Sequence, residues 1–204
     1  MPVKEKISIR EKQREETRQR IIEAAIAAFA EFGFHGASTR DIAERAKTNQ
    51  GLLTYHFNSK DELWHAATDQ IFTSLQTALQ AQMTALPQGM NLRERRREAV
   101  RIYVRFTAAH PELFRIMLDE GKGSSDRMKW LVKTHLKALY RNFGDFIAAP
   151  FDKEMLPHAF YVFTGASSLI FAIDPECRTL TGLNPKTKKA IETHADFVAQ
   201  LLVP

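Results

Sequence analysis

Apolar residues recur at helical spacing along almost the whole chain, and no stretch alternates cleanly between apolar and polar positions. The first clear segment carries one apolar stripe and ends at Gly33, a residue type that is typical of helix C-termini. The stripe consists of Ile21, Ile22, Ala25, Ala28, Phe29 and Phe32. This pattern predicts an all-α protein without strands.

Capping residues and helix breakers divide the remaining chain into further segments. Ser38, Asn49 and Asn91 each precede such a segment, and Pro87 with Gly89 ends a long one. After the first helix, the predicted helices cover residues 39–46, 50–57 and 61–86, a segment that opens at Asn91 and includes Phe106, a short one from Pro111 that Gly121 breaks, a long one from Ser124 or Ser125 that ends before Pro150, and residues 153–173 and 186–202. We therefore expect about nine helices, with a loop that contains proline and glycine before the last one.

The two short segments 39–46 and 50–57 have the spacing of a helix-turn-helix. A turn of about three residues, 47–49, joins them, and this arrangement lets the second helix enter a DNA major groove, which is about 12 Å wide. The second segment has Leu53 and Phe57 as apolar anchors beside four side chains that donate or accept hydrogen bonds. Those four are Gln50, Thr54, Tyr55 and His56. Such a composition favours a recognition helix over a structural one.

Two runs of the chain resemble the TetR family of repressors. FGFHGASTRDIA, residues 32–43, is similar to the end of that family's first helix and the start of its second. QGLLTYHFNSKDEL, residues 50–63, is similar to the recognition helix and the lead into the fourth helix. The resemblance covers residues 18–63. It implies a helix-turn-helix DNA-binding domain in residues 1–60 and a helical domain for effector binding and dimerisation in residues 61–204.

Three positions depart from the family pattern. Lys47 stands where the family usually has a glycine in left-handed conformation, and a non-glycine residue there costs about 1 kcal/mol. Thr48 stands at a position that is usually apolar. Thr54 replaces a common tyrosine, so a hydroxyl that would reach a phosphate is shorter here, and a base preference does not carry over from the family.

The resemblance assigns nine residues to the DNA interface. They are Thr39, Arg40, Gln50, Gly51, Leu52, Thr54, Tyr55, His56 and Lys60. Thr39 would bind a phosphate at the start of its helix, and Arg40 would contact a guanine edge. Gln50, Leu52 and Thr54 would face bases. Tyr55, His56 and Lys60 would contact the phosphate backbone and set the register.

Each of these roles has a simpler structural alternative. Thr39 can merely follow the helix cap, and Arg40 can be a solvated charge or pair with Glu44 four residues later. His56 can pack beside Phe57. One shared face explains the whole set better than separate structural roles explain its members.

The resemblance also implies a two-fold dimer and an effector pocket in the larger domain. For the dimer interface we expect Phe160, Gly165, Ser168, Leu169, Phe197 and Leu201. For the pocket we expect Phe106, His110, Phe114, Met117, Tyr140, Phe143 and Phe163. In both sets the alternative is that the residues only fill the core of one chain. A small apolar or amphipathic effector would push the helix at residues 61–86 and release the DNA.

Charge and composition narrow the function classes. The net charge of +5 favours a polyanionic partner, here a double-stranded DNA operator. The basic residues Lys4, Lys6, Arg10, Lys12 and Arg14 either form a flexible arm toward DNA or, interleaved with glutamates, a solvated face. The lone Cys177 excludes an internal disulfide and favours a reducing cytoplasm.

Sequence motifs of other classes are missing or incomplete. The chain has no secretory signal at residues 1–20, no phosphate loop and no nucleophile–base arrangement, so we expect no enzyme and no cofactor. Asp61 and His65 alone are too few ligands for a metal site. The uncharged stretch 155–173 contains polar residues, so we expect no membrane span. The alternative function is a helical protein that binds small molecules or a membrane surface without recognising DNA.

Overall fold

The structure, a computed structural model, describes residues 8–147 and 151–203, and every regular element in these ranges is helical. The all-α prediction is confirmed. The elements are α1 (Ile9–Gly36), α2 (Thr39–Arg45), α3 (Gln50–His56), α4 (Lys60–Thr84), α5 (Leu92–Ala109), α6 (Pro111–Gly121), α7 (Asp126–Leu131), a π-helical turn (Val132–Leu136), α8 (Lys137–Phe146), α9 (Leu156–Ala172), α10 (Asp174–Thr181) and α11 (Lys188–Leu202).

The helix count differs from the prediction at one place. The elements α7, the π turn and α8 follow one another without a break and together match one predicted helix. The additional helix is α10, which the sequence predicts as part of a loop. Pro175 lies in its first turn and Gly182 ends it in a left-handed conformation, with φ of 75°. Both residues look like loop signals, yet each fits a helix boundary.

The predicted N-caps are confirmed. Ser38 Oγ accepts hydrogen bonds from the backbone N–H groups of Arg40 and Asp41 at the start of α2. Asn49 Oδ1 accepts from Leu52 N at 2.8 Å at the start of α3. The caps of α5 and α7 work in the same way, through Asn91 and Ser125 respectively. Each cap satisfies backbone donors that a helix start leaves free.

The chain divides into two compact units, and the division falls between Ile71 and Phe72, inside α4. The sequence places a boundary earlier, between residues 60 and 61, where α4 begins. In the first unit α1, α2 and α3 pack around Ile21, Ala25 and Ile42, all of which are fully buried.

In the second unit α5 packs against α9 and α11. Val100 and Val104 of α5 are fully buried, as are Ala195 and Val198 of α11. At the edge of this contact Arg105 joins the two helices, since its Nη2 lies 2.8 Å from Glu192 Oε2. The hydrogen bonds to Glu192 lower the pKa of that carboxyl, so the pair stays ionised at neutral pH.

His194 links α11 to α9, and its titration makes stability depend on pH. Its Nε2 lies 2.8 Å from the carbonyl oxygen of Ala166. Burial lowers the pKa of His194 below its ordinary value, and the hydrogen bond to Ala166 only partly opposes this effect. The unfolded chain therefore binds a proton first as the pH falls. The contribution of this neutral imidazole is complete above pH ~6.5 and is lost as the pH falls toward the folded-state pKa.

We expect the melting temperature to fall between pH 7.5 and pH 5.5, and to fall less in His194→Gln. Glutamine keeps a donor for the Ala166 carbonyl but does not titrate. Calorimetry of both proteins at matched ionic strength measures the difference. Around pH 8 the melting temperatures of the two proteins should change with pH by the same amount. Equal losses of melting temperature below pH 6.5 would show that His194 has no part in the pH dependence.

Among the described residues no single helix is long and apolar enough to cross a membrane. Only α9 and α10 taken together reach that length and composition, and the two helices meet at an angle of 77°.

Candidate functional site

The turn between α2 and α3 has the backbone conformation that the sequence predicts. Lys47 has φ of 53°, and in the described part of the chain no other non-glycine residue has a positive φ. Backbone hydrogen bonds hold the turn, from Lys47 N to Glu44 O at 3.0 Å and from Thr48 N to Ala43 O at 2.9 Å. The left-handed residue thus closes α2 and sets the direction in which α3 leaves it.

Because a Cβ atom disfavours this conformation, Lys47→Gly is expected to stabilise the protein by about 1 kcal/mol. Lys47→Ala is the matched control: it also removes the charge but keeps the Cβ, so its stability should stay close to that of the parent. Urea denaturation of the three proteins measures the difference. A destabilised glycine variant would show that the lysine side chain contributes more to the turn than the strain costs.

Helix α3 is anchored by two residues, and all its other residues except the half-buried His56 are exposed. Leu53 is 3% exposed and Phe57, which comes directly after the helix, is 2% exposed, so the predicted anchors are confirmed. The exposed residues are Gln50, Gly51, Leu52, Thr54 and Tyr55. A Cβ on Gly51 would lie 3.3 Å from the capping oxygen of Asn49, so the glycine keeps the cap uncrowded.

Basic side chains of α1 lie beside aromatic rings of α3 and of the residue that follows it. The guanidinium of Arg14 lies 5.7 Å from the ring centroid of Tyr55, and that of Arg18 lies 5.4 Å from the ring of Phe57. Burial lowers the pKa of His56, and the charges of the same two arginines lower it further. His56 is therefore mainly neutral at pH 7 and offers a hydrogen bond rather than a positive charge.

Of the two alternatives for the basic amino-terminal residues, the flexible arm is wrong for those that the structure describes, because Arg10, Lys12 and Arg14 are exposed residues of a helix. Ser8 caps α1 through a capping box with Glu11, so Arg10, Lys12 and Arg14 belong to a helix. Lys4 and Lys6 lie outside the described residues. The basic residues of this segment that the structure describes are therefore held in fixed positions along α1.

The two arginines of α2 have different surroundings. Arg45 pairs with Glu31 at 2.8 Å and lies 5.2 Å from the ring centroid of Phe32. Arg40 is exposed, and between these described side chains no ion pair joins Arg40 to Glu44, the partner considered from the sequence. One arginine is thus occupied inside the unit, and the other is available to a ligand.

Three other residues predicted to contact DNA, Thr39, Thr54 and Lys60, are partly buried or already engaged within the chain. Thr39 is half-buried as the first residue of α2, after its cap. Thr54 Oγ1 donates to the carbonyl oxygen of Gln50 at 2.9 Å and keeps only its acceptor capacity for a partner. Lys60 Nζ lies 4.7 Å from the ring centroid of Phe34, so its charge is held near the start of α4.

This geometry coincides with a match to a known family. Residues 21–67 match the family model for bacterial regulatory proteins of the tetR family. The matched segment contains α2, the strained turn and α3. Over these residues the chain is similar to the TetR family.

Curated transcriptional regulators and repressors match part of the chain. The HTH-type transcriptional repressor Rv3405c of Mycobacterium tuberculosis is 43% identical over 72 residues, which are 35% of this chain and 38% of that protein. The HTH-type transcriptional regulator BetI of Escherichia coli is 32% identical over 129 residues, which are 61% of this chain and 58% of that protein. The alignments thus span less than two thirds of either relative.

A solved structure matches nearly the whole TetR-like fold. AibR, crystallised in complex with isovaleryl coenzyme A and operator DNA, aligns with a TM-score of 0.70 at 16% identity. The alignment covers 92% of this chain and 98% of that one. At this identity the likeness shows the fold alone, an amino-terminal helix-turn-helix followed by a larger helical domain.

The second unit of the chain encloses a cavity of about 540 Å³. It lies among α4, α5, the π turn with α8, and α9. Its lining consists of Phe72, Leu75, Gln76, Leu79, Gln80, Met83, Ala99, Tyr103, His135, Ala138, Leu139, Asn142, Phe143, Phe146, Ile147 and Phe163. This volume is in the range of small-molecule sites.

Only Phe143 and Phe163 of the predicted pocket residues line this cavity. Phe106 and His110 instead stack on each other, with ring centroids 4.5 Å apart, and the ring of Tyr140 contacts Phe160. Phe114 is buried and Met117 half-buried on α6, which packs against α5, α7 and α9. Helix α5 lines the cavity with Ala99 and Tyr103 instead, so five of the seven residues predicted for a pocket lie outside the lining of this cavity.

The residues that the sequence missed have a visible signal. Phe72, Leu75, Leu79 and Met83 succeed one another at helical spacing in the carboxyl half of α4. Leu75 and Leu79 belong to an apolar stripe that periodicity alone detects. The stripe does not indicate whether it faces a filled core or an open cavity.

The residues predicted for the dimer interface differ in how much of their surface is exposed. Phe197, Leu201 and Leu169 are 63%, 56% and 45% exposed. Phe160 and Ser168 are 7% and 1% exposed, because they pack inside the second unit itself. These two cannot offer their side chains to a partner, so they are removed from the predicted interface.

Proposed function

We propose that this protein is a DNA-binding transcriptional regulator, acting as a repressor that a small molecule releases from its operator. The observation that carries the proposal is the exposed polar surface of α3, held by Leu53 and Phe57 behind the left-handed turn at Lys47. A short helix with buried anchors and free hydrogen-bonding side chains suits a major groove. The regulators and repressors among the relatives support this activity. The proposed activity is DNA binding rather than catalysis. We expect the protein to act in the cytoplasm, where the genome lies.

The proposed recognition surface combines base and backbone contacts. Arg40 and Gln50 carry the side chains that read guanine and adenine best, and both are exposed. Tyr55 and the neutral His56 donate to phosphates, while Arg14 positions the Tyr55 ring. A phosphate contact through Thr39, and through the free lone pairs of Thr54, completes the surface. Leu52, 38% exposed, suits a thymine methyl group.

A homodimer on a pseudo-palindromic operator is expected from the small size of one helix-turn-helix. The interface we propose lies on α9 and α11 and uses Leu169, Phe197 and Leu201, which the chain leaves exposed. Gly165 lies four residues before Leu169 on α9, and no atom lies within 4 Å of where its Cβ would be. Packing within the chain therefore does not require a glycine there, whereas close approach of a second α9 does.

Helix α4 gives the proposed effector a route to the DNA-binding unit. Its carboxyl half lines the cavity from Phe72 onward, and its amino-terminal half belongs to the first unit. A molecule in the cavity shifts the population between DNA-bound and released forms only as far as it binds the released form more tightly. The structural neighbour AibR was crystallised with both an acyl coenzyme A and operator DNA.

The test is retention of genomic DNA by the purified full chain, followed by fluorescence anisotropy on the retained fragment. We expect specific binding that weakens steeply with salt, because phosphate contacts release counterions. A gel-shift with scrambled DNA of equal length gives the non-specific reference. Equal affinity for retained and scrambled fragments, or no binding in dilute buffer, would contradict the proposal.

A further inference from the structure

The chemistry of the cavity walls restricts the ligand, given the proposed regulatory function. The inner end is formed by buried aromatic residues, among them Phe72, Tyr103, Phe143 and Phe163. Gln76, Gln80 and Asn142 are exposed and lie at its open side. No Asp, Glu, Lys or Arg occurs in the lining that the described residues form. A ligand here meets mainly rings and methyl groups, with Tyr103 and His135 as the buried lining residues that carry polar atoms and with amides at the entrance.

The arginines near the cavity are used elsewhere. Arg96 Nε donates to the carbonyl oxygen of Phe146 at 2.7 Å, and Arg95 Nη2 to that of Met83 at 3.5 Å. Both acceptors belong to residues of the lining, but neither arginine lines the cavity itself. An anionic ligand would therefore lose its hydration without gaining a lysine or arginine counter-ion, and a cation would gain no carboxylate from these walls.

One buried polar atom of a residue that lines the cavity has no hydrogen-bond partner among the described residues. Tyr103 is 2% exposed, and its Oη is buried without a hydrogen bond among the described residues. Burial raises the pKa of this phenol to about 12, although the nearby Ser168 hydroxyl acts in the opposite direction. The hydroxyl thus remains protonated at physiological pH and can donate to a ligand. A buried group left unsatisfied is costly, so a partner that completes it is favoured.

The π-helical turn adds a second feature on the opposite wall. It carries His135, which is 7% exposed and whose ring stacks on Phe72 at 4.6 Å with an interplanar angle of 9°. Turns of this kind are frequent at functional sites, because they change which side chains face inward. The stacked pair extends the flat aromatic surface of the cavity.

We propose that the cavity binds an uncharged, largely apolar ligand whose single hydrogen-bonding group pairs with the hydroxyl of Tyr103. The aromatic walls accommodate a ring system or a folded alkyl chain, and carboxylates and ammonium ions are discriminated against. This inference names the chemical class of the effector and rests on the proposed function only for its regulatory consequence. Binding itself can be measured without DNA.

The experiment is isothermal titration of the full chain at pH 7.5 with three skeletons, n-octyl, 2-naphthyl and 4-biphenyl. Each is supplied as the primary alcohol, the carboxylate and the primary ammonium. For the skeleton that binds best, we expect the alcohol to bind at least about tenfold more tightly than either ion. An ion that binds as tightly as its alcohol, or no binding by any skeleton, would overturn the proposal.

Tyr103→Phe supplies the matched variant, because it removes one oxygen and keeps the ring. We expect the affinity for the best alcohol to fall about fivefold, and the affinity for the parent hydrocarbon to stay the same. Unchanged alcohol binding would remove Tyr103 from the site. If the alcohol binds but the chain retains no genomic DNA, the proposed function fails while the ligand class stands. If the chain retains genomic DNA but binds none of the alcohols, the ligand class fails while the proposed function stands.

Discussion

Arg40→Ala is expected to weaken operator binding by about 2–6 kcal/mol for the dimer, since a good base contact contributes about 1–3 kcal/mol and each subunit supplies one. The structure supports this choice, because Arg40 is exposed at the start of α2 and forms no ion pair with Glu44 among the described residues. Discrimination between bases should disappear at one base pair in each half of the operator, because the two subunits make the same contact. It should remain at the other positions. Anisotropy titrations against a set of single-substitution operators measure both effects.

Arg45→Ala is the matched control for this prediction. It removes the same charge from the same helix, but the Arg45 side chain is already engaged by Glu31 and by the ring of Phe32. We expect its operator affinity to change less than about threefold, with a small loss of stability. Equal losses in the two variants would mean that Arg40 contributes only charge. Unchanged base discrimination in Arg40→Ala would remove it from the recognition surface.

The first unit could be predicted from the sequence because its signals are local. Ser38 and Asn49 mark helix starts by their own side chains, and the left-handed turn at Lys47 is expected from the resemblance to the TetR family. Leu53 and Phe57 had to be the anchors, since α3 offers few other apolar residues. Short-range hydrogen bonding and periodicity thus determine most of this unit.

The cavity could not be predicted in the same way. Phe106 and Phe163 are both aromatic residues on apolar helix faces, yet only Phe163 lines the cavity. Which face of α5 points to open space depends on how it packs against α9 and α11, which is a long-range property. Helix periodicity identifies an inward stripe but does not distinguish filled from empty interior. The π turn that carries His135 has no signal in the pattern of apolar residues either.

Long-range packing also explains why only some residues of the predicted dimer interface are exposed. Phe160 and Phe197 are equally apolar in sequence, but Phe160 packs against Tyr140 and Phe143 while Phe197 stays 63% exposed. Exposed aromatic and aliphatic side chains on adjacent helices mark interaction surfaces when they are contiguous. Side-chain burial within one chain is therefore the observation that selects interface candidates from the larger apolar set.

Phe197→Glu is expected to weaken the dimer by about 3–6 kcal/mol, at least a hundredfold in the dissociation constant. Each Phe197 contributes about 1.5–3 kcal/mol of burial, and a two-fold interface contains it twice. Sedimentation equilibrium over a range of protein concentrations measures the change. Because Phe197 is exposed in the single chain, circular dichroism and the melting profile of the monomer should remain those of a folded protein.

Leu92→Glu is the control for this substitution, since Leu92 is 54% exposed on α5, outside the proposed interface. It should leave the dimer intact, which separates a specific contact from a general effect of added charge. Leu169→Glu on α9 gives an independent second test of the same face. If both α9 and α11 variants remain dimers at the concentration where the parent does, the second subunit binds elsewhere. In that case the half-site spacing of the operator would have to be explained by another surface.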